Sequence, residues 1–358
     1  MLELPKFSNQ KERDFTLRLK KNVNAYFEQN NLSKHANGAM IFKSIFWLSV
    51  WLGAYLLLLF GGFSLGIQYA LWALLGFGIA MVTMNIGHDA IHGSYSSNRH
   101  INKFLAHTFN INGASAYMWD RMHNRAHHSY TNIDGVDEDI NPFPVLRICP
   151  TREHYRIHAF QHVYAFFFYG LATLSWVLIK DYVKFFKNEV GNFTEEKHPP
   201  IQYFYLFFYK FINYFLFLVL PLLLIEQPWS HIVLGFLLMH FIGGFVLAII
   251  FMLAHAVEGV HFLEAEKDKK VDHSFVVHQL RSTANFARRS RPASFLTGGL
   301  NLQVEHHLFP HICSIHYPAL SKIVKETAEE FGQPYVEYSF LEALRSHYRF
   351  LKLMGAKA

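Results

Sequence analysis

Three groups of histidines carry the chemistry legible in this chain: His88-Asp-Ala-Ile-His92, His123-Asn-Arg-Ala-His127-His128 and Gln303-Val-Glu-His306-His307. Each follows or borders a long apolar stretch, where an imidazole is costly to bury without a partner. Neutral imidazole is a good ligand for iron, copper, zinc and nickel. One ion is saturated by about four to six ligands. The groups hold seven histidines, so the count points to two ions. On a helix, His88 and His92 share one face a turn apart. His123 and His127 repeat that spacing, and His128 falls about 100° round the helix. Such a trio serves two neighbouring ions or clamps one from two sides.

Further candidates surround these groups. His255, in Met-Leu-Ala-His255-Ala-Val-Glu258, ends another apolar stretch and is a candidate ligand. Gln303 stands where a first histidine would complete a third HxxHH. It either binds metal through its amide oxygen or hydrogen-bonds a metal-bound water. Asp89, Glu305 and Glu258 are candidates to orient imidazoles from behind. Asp134, Asp137, Glu138 and Asp139 read as a solvated acidic loop. His240, in the middle of an apolar stretch, reads as a helix–helix hydrogen-bonding group. His162 and His278 are reserve ligands. Structural zinc prefers closed tetrahedral sites. Eight histidines around two ions leave open positions, which suits redox iron better. Soluble di-iron carboxylate bundles use paired Glu-x-x-His motifs. Among the candidates named above, only Glu258 begins such a motif, Glu258-Gly-Val-His261, which disfavours that architecture. Cys149 and Cys313 supply neither a disulfide framework nor the four thiolates of an iron–sulfur cluster. Electrons are therefore expected from a separate protein.

The elements that must hold these residues are apolar. The chain has 358 residues, 51% hydrophobic and 17% charged, against about 25% charged in ordinary soluble domains. Its net charge of +6 comes from basic residues that flank apolar spans and form no stripe, which excludes a nucleic-acid binder. Four stretches approach the ~20 residues needed to span a bilayer: 41–61, 65–87, 205–225 and 231–256. They read as two helical hairpins. Lys43 lies near the start of the first and is expected to snorkel to the interface. Pro221 interrupts the third, which a membrane helix tolerates. The hairpin turns carry no Lys or Arg, whereas Lys11, Arg13, Arg18, Lys20, Lys21, Arg99, Lys103, Arg121 and Arg125 lie on the other side. The positive-inside rule then puts both termini and all three histidine groups in the cytoplasm. Segment 163–179 is nearly long enough to cross. A fifth crossing would separate the third histidine group from the first two, so it is expected to be an interfacial helix. Residues 317–352 show helical periodicity at Leu320, Ile323, Val324, Ala328 and Phe331 and form an expected cytosolic cap.

The expected fold class is thus all-α and integral to the membrane, with four transmembrane helices, an interfacial helix and a helical cap. The expected division is a cytosolic segment 1–40, a hairpin 41–87, a cytosolic and interfacial region 88–204, a second hairpin 205–257 and a cytosolic region 258–358.

His88-Asp-x-x-His92, Trp119-Asp-Arg-Met-His123-Asn-x-x-His127-His128-x-x-Thr131-Asn132 and Gly298-Gly-Leu-Asn-x-Gln303-x-x-His306-His307-Leu-Phe-Pro310 together resemble the three boxes of the membrane fatty acid desaturases. The likeness runs from about Ile41 to Pro318. It implies a four-helix membrane bundle whose cap holds two irons. It implies ligand roles for His88, His92, His123, His127, His128, His306 and His307, with a further ligand on the fourth span where His255 fits. The implied reaction is O2-dependent insertion of a cis double bond into a long acyl chain carried on CoA or a lipid. Gln303 resembles the front-end subgroup, which works between an existing double bond and the carboxyl end, but also occurs in sphingolipid desaturases. Many eukaryotic front-end enzymes carry a fused cytochrome b5 with a His-Pro-Gly-Gly motif. Here the nearest string is His198-Pro-Pro. The expected donor is therefore a separate ferredoxin or cytochrome b5, and the expected location a bacterial inner membrane with a cytoplasmic site. The alternatives are a fatty acyl or sphingolipid hydroxylase of the same superfamily, a membrane zinc hydrolase, and a metal transporter.

Overall fold

The structure is a computed structural model that describes residues 4–8, 10–140, 144–187, 189–190, 193–194, 197–265 and 269–356. Among the described residues, four helices are long and apolar enough to cross a bilayer: Gly38–Phe60, Leu65–Ile91, Pro200–Leu224 and Trp229–His255. With 23 to 27 residues each, at ~1.5 Å per residue, they exceed a hydrocarbon core of ~30 Å. Their outer faces expose Phe42, Ile45, Phe60, Phe211 and Leu223, as lipid contact requires.

The second and fourth spans pack at the centre, because small residues let their backbones meet. A Cβ on Gly76 would lie 2.1 Å from the Met239 carbonyl oxygen, and one on Gly235 would run into the Trp72 indole. Trp72, Leu75, Ile79, Phe236 and Met239 fill the space around them.

Segment 163–179 belongs to a bent helix whose halves, Arg156–Gly170 and Ala172–Phe185, meet at 59°. The bend is seated on the fourth span. The Gly170 carbonyl lies beneath Gly244, where a Cβ would come within 2.7 Å of its oxygen. Thr173 Oγ1 donates to the His240 carbonyl at 2.7 Å and lies 3.2 Å from His240 Nδ1. His240 therefore makes the helix–helix contact expected of it. Phe160, Val163 and Phe167 on one half and Ile179 and Val183 on the other remain exposed.

Lys43 departs from expectation. It is 4% exposed and does not reach an interface. The carboxylate of Asp89 provides opposite charge in its surroundings. The third span also holds a buried cation. Lys210 Nζ donates to Asp181 Oδ2 at 2.7 Å, to the Gly113 carbonyl at 2.6 Å and to the Trp176 carbonyl at 2.7 Å. The last bond is available because Trp176–Lys180 is a π-helical turn, which leaves carbonyls without their usual partners. Tyr214 Oη caps the next one, on Val177, at 2.8 Å. Another π turn, Phe215–Val219, precedes Pro221 and accommodates its missing N–H.

The cap is built from both ends of the chain. Helix Arg13–Gln29 presents Phe15, Leu19, Val23 and Phe27 at four-residue spacing to Leu320, Val324 and Ala328 of helix Tyr317–Glu330. Parallel two-residue strand pairs, Lys6–Phe7 with Lys270–Val271, Ile133–Asp134 with Leu263–Glu264 and Asn285–Phe286 with Glu337–Tyr338, staple distant segments together. Helix Phe340–Gly355 packs beneath the first half of the bent helix, where His347 Nε2 meets Tyr169 Oη at 2.8 Å.

Lys210→Met leaves the buried Asp181 carboxylate without its cation. The expected cost is about 3–5 kcal/mol, read as a lower unfolding midpoint in detergent. The double variant Lys210→Met/Asp181→Asn recovers part of it.

Candidate metal centre

The second span supplies the first histidine pair through an irregularity. Thr83–Gly87 is a π turn, and the His88 N–H bonds to the Thr83 carbonyl five residues back. The extra residue rotates the end of the span so that His88 and His92, with rings 4.6 Å apart, face inward. A longer π segment, Asp120–His127, carries the second group, and the His128 N–H bonds to the His123 carbonyl. This corrects the ordinary-helix geometry expected there. The wider turn brings His128 onto the His123 side instead of leaving it 100° away, and their Nε2 atoms are 3.2 Å apart. Helix Gln303–Leu308 carries His306 and His307, which diverge because neighbouring residues on a helix point in different directions.

The histidines converge from these elements into two adjoining nests. Nitrogens of His88, His92, His123 and His306 lie within 4.8 Å of one another, as do those of His127, His255 and His307. His128 lies between the nests, with its ring 4.5 Å from that of His306 and 4.3 Å from that of His307. All eight candidate histidines are in this assembly.

Five of the eight imidazoles engage Nδ1 on the outward side. His127 Nδ1 meets Asp137 Oδ2 at 2.9 Å, His123 Nδ1 meets Asp139 Oδ2 at 3.3 Å, and His88 Nδ1 lies 3.4 Å from Asp89 Oδ1. His307 Nδ1 meets Gln279 Oε1 at 2.9 Å, and His306 Nδ1 meets Tyr317 Oη at 3.3 Å. A carboxylate or amide oxygen only accepts, so Nδ1 carries the proton and the lone pair is left on Nε2. The Nε2 atoms of His92, His127, His306 and His307 are buried and have no hydrogen-bond partner. Burial drives the imidazoles of His92, His123, His128, His306 and His307 well below their ordinary pKa, and their mutual repulsion adds to the effect. They are neutral, the form that ligates metal. His127 differs. Burial lowers its pKa, but the charge and hydrogen bond of Asp137, together with the charge of Asp139, outweigh burial and raise it. Orphaned, inward-facing lone pairs on neutral imidazoles fit metal ions.

The acidic loop read as solvated is corrected. Asp137 is 2% exposed. It also accepts from the Asn132 N–H at 2.8 Å, while the Asn132 amide donates to the carbonyls of His255 and Ser282. Asn132 has φ of 56°, a conformation Asn tolerates. Asp89 accepts from Ser314 N–H and Oγ at 2.9 and 2.8 Å, which ties the first histidine group to the segment after the third. Gln303 Oε1 is buried without a hydrogen bond, beside His88, His123 and His306 in the wall of one cavity. Two expected orienters lie elsewhere. Glu258 pairs with Arg349 at 3.0 Å on the surface, because the chain turns outward after His255. Glu305 turns away from the imidazoles and accepts from Asn285 and Tyr335 at 2.8 and 2.9 Å. Neither reserve histidine joins a nest. His278 bonds to the Thr131 carbonyl at 2.8 Å, and His162 rests edge-on against Tyr348. Sequence reasoning missed Gln279 and Tyr317, which carry no spacing signal.

The same cavity runs from His88, His123 and His306 between apolar walls that include Phe109, Trp176, Leu247 and Phe251. Trp119 stacks on His123 with ring centroids 4.1 Å apart and forms part of the lining. A long apolar ligand laid here touches the histidine nest directly.

Residues 64–339 match the family model described as fatty acid desaturase. The chain belongs to the fatty acid desaturase family. It is 35% identical to an sn-1 linoleoyl-lipid 6-desaturase of Synechocystis, over 99% of each chain. It is 34% identical to an acyl-lipid (8-3)-desaturase of Physcomitrium patens, over 98% of this chain and 73% of that one. A second sn-1 linoleoyl-lipid 6-desaturase, from Arthrospira platensis, is 33% identical over 95% and 92%. The chain is therefore a membrane-type oxidoreductase that desaturates fatty acyl chains.

In this desaturase, Asp137→Asn weakens the hold on His127. The expected loss is roughly 10–100-fold in metal affinity, measured as metal bound per chain, whereas Glu258→Gln leaves it unchanged. Glu305 gives a pH signature. Burial pushes its carboxyl up to about 7 from an ordinary 4.5. A raised carboxyl favours the folded state below 4.5 and loses that contribution as pH rises through 7. In melting profiles of the metal-free protein, the stability of the wild type relative to Glu305→Gln is expected to fall between those two values and flatten above them.

Proposed function

We propose that the two nests hold a pair of iron ions, with His88, His92, His123 and His306 on one side, His127, His255 and His307 on the other, and His128 between them. The observation that carries this reading is the shared orientation of His127, His306 and His307, with Nδ1 engaged outward and Nε2 buried without a hydrogen bond. Bound there, the irons supply the redox chemistry that activates O2 for hydrogen removal. In the net reaction the acyl chain gives up two hydrogens, and O2 takes these with two electrons and two protons to form two waters.

The protein's contribution is positional. Asp137, Asp139 and Gln279 hold the imidazoles in one orientation, so the ligand set is formed before substrate arrives. Trp119, Phe109, Trp176 and Phe251 keep the cavity apolar, which excludes bulk water from the oxidising centre and lays methylenes beside it. Gln303, with its amide oxygen buried in the wall of the cavity that His88, His123 and His306 line, ligates weakly or holds a bound water.

The substrate proposed is a polyunsaturated acyl chain esterified to a lipid, desaturated between an existing double bond and the carboxyl end. The full-length likeness to sn-1 linoleoyl-lipid 6-desaturases supports this choice. Electrons come from a separate ferredoxin or cytochrome b5, drawn to the basic residues that flank the spans. The site lies on the cytoplasmic side of a bacterial inner membrane, as the distribution of Lys and Arg supports.

The test is expression in a host fed linoleate, followed by lipid profiling. The expected product has lost two hydrogens and carries a new double bond on the carboxyl side. Chelation abolishes its formation, and ferrous iron restores it where zinc does not. A product heavier by one oxygen, or none from iron-loaded protein with a working reductant, overturns the reading.

A further inference from the structure

The cavity has a polar end. Among the described residues lining it, Lys180 is the one cation and Asp139 the one carboxylate. Lys180 closes the π turn Trp176–Lys180 of the bent helix, and its side chain is 28% exposed. The Trp176 ring of the same turn lines the apolar wall. Lys180 is held loosely, with Nζ 3.7 Å from Asp139 Oδ1, which is longer than a hydrogen bond. The other oxygen of that carboxylate, Oδ2, lies 3.3 Å from His123 Nδ1. By contrast, the next lysine on this helix, Lys184, is committed to Glu138.

We propose that Lys180 anchors the acyl head by donating from Nζ to the ester carbonyl, and so sets the position of the new double bond by distance from the carboxyl end. The inference rests on the acyl-desaturase reading above. A partly exposed ammonium in the lining of an apolar cavity offers three donors, and an ester or thioester carbonyl is the acceptor that every acyl carrier presents. A single carboxylate separates Lys180 from His123, so only a handful of methylenes fit between an anchored carbonyl and the histidine nest. The methyl end then runs on past Leu247 and Phe251. Because the anchor sits on the turn that also carries Trp176, head and chain are registered against one rigid element. Lys180 is in this sense a positioning residue and not a catalytic one.

The test compares wild type, Lys180→Met and Lys180→Arg on linoleoyl phosphatidylcholine, a linoleoyl galactolipid and linoleoyl-CoA. Double-bond position is read by mass spectrometry and bound iron is measured in parallel. For Lys180→Met, KM is expected to rise roughly tenfold or more on the carrier the enzyme uses. Its product is expected to spread over more than one position while iron content stays at the wild-type level. Lys180→Arg restores a single position. The arm with the largest change identifies the carrier. If Lys180 only balanced the charge of Asp139, iron content would fall while product position stayed fixed, and that result overturns the proposal. So does unchanged position and KM on all three substrates. A second measurement needs no variant. Wild type given sixteen-, eighteen- and twenty-carbon chains should count from the carbonyl each time, and counting from the methyl end overturns the anchor. Wild type that desaturates none of these substrates refutes the acyl-desaturase reading itself, a result distinct from loss of positional control in the variant.

Discussion

The fold is organised around keeping buried imidazoles neutral and aimed. An imidazole away from water must satisfy both ring nitrogens, and a cluster of them must avoid charge. In this chain, Asp137, Asp139, Gln279 and Tyr317 take the outward nitrogens of His127, His123, His307 and His306. Burial and mutual repulsion push the imidazoles of His92, His123, His128, His306 and His307 well below their ordinary pKa, while Asp137 and Asp139 raise that of His127. What remains is a set of lone pairs facing inward with nothing of the protein's own to bond. Such an arrangement is unfavourable for a metal-free protein and favourable for one that binds cations. The partners come from the loop after the second histidine group, from helix Phe275–Ser282 and from helix Tyr317–Glu330. The cap is therefore as much a part of the centre as the ligands are.

The parity of membrane crossings is a consequence of the same convergence. Histidines 88 to 128 meet histidines 306 and 307, so the chain between them crosses an even number of times. Two spans account for that number, so the bent helix, whose halves meet at 59°, adds no single crossing of its own. The structure shows what makes this possible. Gly170 and Gly244 allow the bend to touch the fourth span, and Thr173 bonds across to His240. Lys210 and Tyr214 then satisfy carbonyls released by the π turn beyond the bend. The returned half-helix closes one wall of the cavity with Ser175, Trp176 and Lys180. Had this segment crossed, the histidine centre would have been split and the cavity left without that wall.

Much of this architecture was readable from residue pattern. Apolar stretches of membrane length marked the four spans within a few residues, and their short turns marked the hairpins. The helix built on Phe15, Leu19, Val23 and Phe27 has the same regular four-residue spacing, carried in a segment of polar composition. The acidic loop was misjudged because composition gives no measure of burial. Asp137 and Glu258 are both carboxylates near a histidine in sequence, yet one is sealed against His127 and the other faces Arg349 at the surface. Lys43 was misjudged for the same reason, since a charge at the edge of an apolar stretch is free to reach water only if no neighbour covers it.

The sequence by itself determined the ligand types, their grouping along the chain, the membrane-length elements and, through the three boxes together, the kind of reaction. Those properties are local: they depend on residue chemistry and spacing within one segment. Only the tertiary structure decided the pairing of histidines into nests, the identity of Asp137, Asp139 and Gln279 as their partners, the return of the bent helix and the place of Lys180 at the polar end of the cavity. Between them these depend on backbone register, on π turns that shift a side chain by a fraction of a helical turn, and on contacts between separate segments, some more than a hundred positions apart. No spacing rule within a single segment encodes such contacts.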